Sequence, residues 1–275
     1  VISGGRRSLT GGGRLSRWLV MARMGGSRHL KRHAAPDFWP ILRKTFKWAL
    51  KPSPGPHPII RSIPLLVVVR DVLKYVERSK EARRLIAEGH FKVDGIVRTD
   101  YKFPIGFMDV IEVVDTGEAF RVIPVPTKYM TLIPISKDEA TFKLCRIENK
   151  TIVKGGHIQL NLHDGRNVLI RVSDPTKPVE DIYKTMGTLK ISIPNQEIIK
   201  YIPLEVGKSL VVVIGGRNVG KVGRLVNMSE GMRRYRKQVK IEGLRGETIY
   251  TTLDKIFVIG METPEITLPE GALSG

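Results

Sequence analysis

Between residues 65 and 88 the apolar positions recur with a helical period, and beyond residue 90 they recur with the period of a strand. Leu66, Val69, Leu73 and Val76 fall at i, i+3, i+7 and i+10, which predicts a helix over 65–76. Arg70, Lys74 and Arg78 line another face of it. Ser79 is placed to N-cap a second helix over 80–88, with Ala82, Leu85 and Ile86 apolar and Lys80, Arg83 and Arg84 opposite. Gly89 stands where a left-handed residue would end that helix. Phe91 and Val93 then alternate with Lys92, Asp94-Gly95 gives a two-residue hairpin signal, and Ile96-Val97 returns. A further strand over 110–114 is expected after a turn at Gly106.

From 119 to 262 nearly every apolar run is strand-sized. Segments 120–123, 142–147, 157–162, 168–172, 189–193, 210–214 and 255–259 are separated by Gly155-Gly156, Asp164-Gly165 and prolines. No long helical pattern intervenes, so parallel βαβ topology is disfavoured and small barrels or sandwiches are expected. A boundary between two β modules is placed near Pro194-Asn195. Upstream, Pro52, Pro54, Pro56 and Pro58 make 51–58 an extended, stiff connector, because each proline removes a donor and restrains its predecessor.

Charge changes this picture most at the N-terminus. The 275 residues carry a formal charge of +19, yet residues 1–60 alone hold 12 Lys and Arg against one acid, Asp37. Residues 61–120 balance at ten of each sign. A segment so charged and so poor in periodicity repels itself, and it is expected to become ordered on a polyanion. Phe38, Trp39, Phe46 and Trp48 argue that it is more than a solubility tail. Residues 1–20 begin without Met and carry no signal-peptide pattern, while Met21-Ala22-Arg23 reads as a translational start; they are taken as an extension outside the fold. No apolar run reaches the roughly 18–20 residues of a membrane helix. A single cysteine, Cys145, excludes an intrachain disulfide framework and is expected to be a buried free thiol in a reducing setting.

One segment invites an enzymatic reading. In 210–223, Gly215, Gly220 and Lys221 satisfy seven positions of the phosphate-loop pattern, but Val222 stands where Ser or Thr must bind magnesium. Gly223-Arg224-Leu225-Val226 is also poor material for the helix that such a loop must open. A strand, Gly-Arg-Asn-x-Gly-Lys-x-Gly and a second strand instead resemble the KOW motif. Arg233, Arg234, Arg236 and Lys237 would extend its basic surface. His29 and His33 are four apart but lack an HExxH pattern or paired carboxylates, so no zinc site is expected.

The helix pair and hairpin over 65–111 resemble the alpha-L RNA-binding module. Two enzyme families that carry it are excluded on residues: a pseudouridine synthase needs Asp after Gly-Arg-Leu, where Val226 stands, and a synthetase needs a nucleotide-binding domain for which no segment remains. Longer motifs then follow in one order: Gly26-Ser-Arg-His-Leu-Lys-Arg-His-Ala-Ala-Pro36, Pro54-Gly-Pro-His57, Val93-Asp-Gly95, Gly106-Phe-Met-Asp109, Lys143-Leu-Cys-Arg146 and Gly215-Gly-Arg-Asn-Val-Gly220. From about Met21 to Gly260 the chain resembles the e-type small-subunit ribosomal protein four family, and its length after Met21 fits the archaeal form. Ile96 departs from the Lys usual in that family, so no phosphate contact is assigned there.

The resemblance implies an α+β, multidomain protein. Its expected parts are an extension (1–20), a basic extended arm (21–60), an alpha-L module (61–118), a central β domain (119–194), a small KOW-type β-barrel (195–262) and a tail (263–275). It implies a structural, non-enzymatic role in the cytoplasmic ribosome, with small-subunit rRNA and neighbouring ribosomal proteins as partners and no cofactor, metal, membrane or small-molecule substrate. A free translation or transcription factor, or an RNA-modifying enzyme, is the alternative. Candidate RNA contacts are Arg28, His29, Lys31, Arg32, His33, Lys44, Lys47, Lys51, His57 and Arg61; Arg70, Lys74, Arg78, Lys80, Arg83, Arg84, Lys92 and Arg98; and Arg217, Asn218, Lys221, Arg224, Arg233, Arg234, Arg236 and Lys237. Gly89, Asp94, Gly95, Gly106, Gly215, Gly216, Gly220 and Gly223 are candidate turn residues.

Overall fold

The computed structural model describes residues 27–126, 129–174, 179–229, 237–243 and 246–269. The extension 1–20 and three of the candidate contacts, Arg233, Arg234 and Arg236, lie outside them. The chain divides into two compact units.

The smaller unit is built from residues 27–35 and 42–51. Two short antiparallel strands, β1 (Leu30–Lys31) and β2 (Trp48–Ala49), pair Leu30 with Ala49 and Lys31 with Trp48. Two such short strands cannot stand by backbone bonds alone. Arginines tie the loops instead. Arg43 Nη1 donates to the Arg32, His33 and Ala35 carbonyls at 3.1–3.3 Å.

The larger unit contains everything else, including residues 36–41 and 52–60, which the sequence assigned to the arm. Trp39 is only 3% exposed and its Nε1 donates to the Ser62 carbonyl at 2.8 Å, while Phe38 stacks on Tyr129. Burial accounts for Phe38 and Trp39 in so basic a stretch, whereas Phe46 and Trp48 stay exposed.

The predicted first helix is shorter than its periodicity suggests. α1 (Leu65–Val67) runs directly into a wider π turn, Val68–Val72, marked by Leu73 N–H donating to the Val68 carbonyl. Lys74 then adopts φ 58°, a left-handed backbone that stops the helix. α2 (Ser79–Glu88) lies where expected, but Ser79 does not cap it. Its hydroxyl instead accepts from Arg70 Nη1 at 2.6 Å. At the other end Gly89, φ 90°, donates to the Ile86 carbonyl and His90 to that of Leu85, a Schellman closure.

The hairpin follows as β4 (Phe91–Val93) and β5 (Ile96–Val97), with Asp94 and Gly95 both at positive φ. β3 (Ser62–Pro64) pairs with β6 (Pro104–Gly106). β7 (Val110–Val113), β8 (Ala119–Ile123) and β9 (Thr131–Ile135) complete a five-stranded antiparallel sheet in the order β5-β4-β7-β8-β9. The expected domain boundary at 118 therefore falls between two paired strands.

After α3 (Lys137–Ala140), capped by the Ser136 hydroxyl, a second sheet forms in the order β12-β11-β10-β13-β14. Its strands are β10 (Phe142–Ile152), β11 (Ile158–Leu162), β12 (Asn167–Ile170), β13 (Thr188–Ser192) and β14 (Ile198–Ile202). β13 and β14 pair across the Pro194 turn, so the boundary expected there lies inside a hairpin.

The third sheet runs β18-β17-β16-β15-β19. It comprises β15 (Leu210–Val213), β16 (Val222–Ser229), β17 (Gln238–Gly243), β18 (Thr248–Thr252) and β19 (Ile256–Gly260). Among the described residues no strand ladder joins β18 to β19, so the expected barrel is not closed by hydrogen bonds. Val211, Val213, Leu225, Val239, Ile241 and Phe257 form its core, each fully buried. Each such side chain contributes about 1.5–3 kcal/mol. Ile266 and Leu268 pack on the same core, so the first part of the expected tail belongs to the fold.

Candidate nucleic-acid interface

The small unit carries seven Lys and Arg and no acid. Arg28, His29, Lys31, His33, Lys44 and Lys47 are exposed, as a surface for phosphates requires. Arg32 is not available in the same way. Its Nε donates to the Trp48 carbonyl at 3.2 Å, and its Nη1 reaches the Leu42 carbonyl and the Thr45 hydroxyl. Lys51, half-buried, donates to the Ser27 carbonyl. Both cations hold the loops through these bonds.

In the larger unit, α2 turns Ala82 and Ile86 inward and leaves Lys80, Arg83 and Arg84 exposed, with Arg78 at its N-terminal flank. Arg84 pairs with Glu88 at 2.8 Å, and Arg83 lies 4.7 Å over the Tyr101 ring. Lys74 and Arg61 are exposed too. Arg70 is spent internally, on both oxygens of Asp71 and on Ser79. Arg98 is half-buried over Phe103, and Lys92 is half-buried at the rim of a groove of about 450 Å³.

The Gly-rich segment of the third sheet is a hairpin. β15 and β16 are antiparallel, with Val212 opposite Val222, and a strand, not a helix, begins directly after Lys221. A phosphate loop is thereby excluded, since its anion sits on a helix N-terminus. Arg217 and Arg224 are exposed, Asn218 and Lys237 half-buried, and Lys221 pairs with Glu247 at 2.9 Å. Gly216 and Gly220 have left-handed φ; Gly215 does not and needs no special backbone. Gly223 is required for another reason: a Cβ there would lie 2.4 Å from the Glu242 carbonyl oxygen.

Gly106 likewise is no turn. It ends β6, and a Cβ on it would lie 2.3–2.5 Å from the His57 ring. That ring marks the largest departure from the sequence reading. His57 is 6% exposed and bonds Asp109 at 3.0 Å, so it faces the interior rather than RNA. Asp109 also accepts from Gly106 N–H and, at 2.5 Å, from Lys143 Nζ. Lys143 reaches Asp94 at 2.8 Å and Asp164 at 3.1 Å as well, and Arg166 bridges Asp94 and Asp164. Asp94, expected only to make a turn, thus joins the first sheet to the second.

Electrostatics in this cluster follow from burial and pairing. Burial alone would push Lys143 down, but Asp109, Asp94 and Asp164 together hold its ammonium well above the ordinary lysine range. Burial would raise both carboxyls, yet His57 and Lys143 hold Asp109 far below its usual value, and Lys143, His163 and Arg166 bring Asp164 to about 2. His163 is lowered to about 3, first by burial, with Asp164 opposing and Lys143 and Arg146 adding to the shift. Cys145 is buried, without a disulfide partner, and burial raises its thiol.

Cys145, His163 and Asp164 lie close enough to suggest metal ligands. Their atoms are already engaged: His163 Nδ1 accepts from Arg146 N–H, its Nε2 faces the Phe107 carbonyl, and Asp164 carries two cations. A cation would have to displace Lys143 or Arg166, and the set does not fit one. Among the described residues no helix is long and apolar enough to cross a membrane.

The helix pair, its hairpin and the exposed cations on α2 define the class of S4-domain proteins, and the S4 domain model matches residues 63–111. The RS4NT domain matches 24–59, and Ribosomal family S4e matches 116–198. Small ribosomal subunit protein eS4 of Staphylothermus marinus is 66% identical over 252 residues, 92% of this chain and 100% of that protein. The eS4 of Hyperthermus butylicus is 66% identical over 255 residues, 92% and 99% of the two chains. The crystal structure of 30S ribosomal protein S4e from Thermoplasma acidophilum is 31% identical, with a TM-score of 0.61, over 73% of this chain and 96% of that one. The chain belongs to the eS4 family of small-subunit ribosomal proteins.

Proposed function

We propose that the chain is a structural constituent of the small ribosomal subunit, which binds and stabilises small-subunit rRNA beside neighbouring ribosomal proteins in the cytoplasm. The observation that carries this reading is the acid-free small unit, whose Arg28, Lys31, Lys44 and Lys47 are all exposed. Paired helices that present Lys80, Arg83 and Arg84 add a second phosphate surface. The Gly215–Gly223 hairpin acts as a KOW-type turn, with Arg217 and Arg224 toward RNA.

A free factor or modifying enzyme must leave its RNA, and an acid-free unit with seven Lys and Arg among its described residues works against release. The test is filter binding of the full chain to its small-subunit rRNA across a range of salt. Replacing Arg28, Lys31, Lys44 and Lys47 together by Ala should lower the log–log salt slope by about 0.7–0.9 for each phosphate that is no longer neutralised. An unchanged slope would mean that this unit is not a phosphate surface.

A further inference from the structure

In the small unit one aromatic ring is covered on one face and bare on the other. The Arg32 guanidinium carbon lies 5.0 Å from the Phe46 ring centroid. That guanidinium is fixed in place by the Trp48 and Leu42 carbonyls and the Thr45 hydroxyl, so a planar cation is locked against the ring. Phe46 nevertheless remains 72% exposed. Trp48, with Lys47 5.1 Å over its indole and His29 5.3 Å from it, is half exposed. The chain buries other rings where it has a core to offer: Trp39 is 3% exposed.

A ring left in water, braced by a guanidinium and flanked in sequence by exposed Lys44 and Lys47, is shaped for a flat π-system that brings its own negative charge. An unpaired nucleotide is such a group, since its base can stack while its phosphates meet the lysines. An apolar protein anchor would have to desolvate those lysines with nothing to compensate them, because the unit contains no acid.

We propose that the bare face of Phe46 is a stacking site for an unpaired nucleobase of RNA, with the ring held between that base and Arg32. The proposal rests on the rRNA-binding reading above and names the contact that reading leaves open. Phosphate neutralisation fixes the salt slope, whereas a base stack releases no counterion. The two contributions therefore separate in one experiment.

Full-length chain is titrated with protein-free small-subunit rRNA at several salt concentrations. Phe46→Ala and Phe46→Leu should each weaken binding about 10-fold at every salt with the slope unchanged. Phe46→Tyr should bind as the wild type does. Chemical probing of the RNA should show one nucleotide, protected by the wild type and by Phe46→Tyr, that becomes reactive with Phe46→Ala. Wild-type affinity for Phe46→Ala, with rRNA binding intact, would overturn the stacking site alone. A defect that emerges only when other ribosomal proteins are added would assign the ring to a protein neighbour and overturn it too. Failure of the wild type to bind rRNA would overturn both readings.

Discussion

Lys143 is the residue on which most of the interior charge converges. It is 1% exposed by side chain and touches three carboxylates, none of which has water to fall back on. Removing its charge leaves three buried carboxylates with only His57 and Arg166 between them, so Lys143→Met should destabilise the chain by about 3–5 kcal/mol. Chemical denaturation of the full chain measures this, with exposed Lys80→Ala as a control expected to stay within about 0.5 kcal/mol of wild type. His163 sets the response to acid. Its folded value near 3 lies below the ordinary 6.5, so the folded state binds fewer protons between them. Its contribution to stability is complete above pH 6.5 and is lost as pH falls toward 3; Asp164, at about 2, adds a further loss below the ordinary carboxylate value of 3.8. His163→Asn should flatten the decline in unfolding free energy between those limits, and an unchanged slope would remove His163 from the account. Little of this was legible in the sequence. A lysine in a strand reads as a surface residue, and nothing within Lys143-Leu-Cys-Arg146 marks its first residue as buried. His57 lies in the proline-rich connector, and nothing local points to its partner Asp109, which lies 52 positions away.

At the scale of the element, the Gly215–Gly223 hairpin shows what spacing can and cannot say. The glycines predicted a tight turn, and Gly216 and Gly220 have the left-handed backbone that makes it. A Cβ on Gly220 would also lie 2.5–2.8 Å from Pro126 and the Val125 backbone, so Gly220→Val meets strain and a clash together. It should cost at least about 1–3 kcal/mol and lower the melting temperature. Lys221→Ala should change stability by less than about 1 kcal/mol, because its pair with Glu247 is exposed. Equal melting temperatures for the two variants would contradict this reading. The α2 limits and its Gly89 closure were legible because a local pattern decides them. The end of α1 was not, since apolar periodicity continues to Val76 while the backbone turns at Lys74. Strands β9, β14, β17 and β18 were missed: half-exposed runs such as Thr248–Thr252 carry too weak an alternation to stand out.

Across the whole molecule, charge is sorted by role. Lys143, Arg121, Arg146 and Arg166 are wholly or largely buried and bond carboxylates and carbonyls that tie the sheets of the larger unit together. Exposed cations stand on the acid-free small unit, on α2 and on the third-sheet hairpin, and also around the second sheet at Lys154, Arg171, Lys184 and Lys200. Composition revealed the excess but not this division, because it counts a buried lysine and a phosphate-binding one alike. A chain with so many outward cations should spend its life on RNA. Sucrose-gradient sedimentation of a cell extract, probed for this chain, tests that most directly. The chain should travel almost wholly with small subunits and resist a moderate salt wash; a chain that remained with free protein at the top of the gradient would contradict the account.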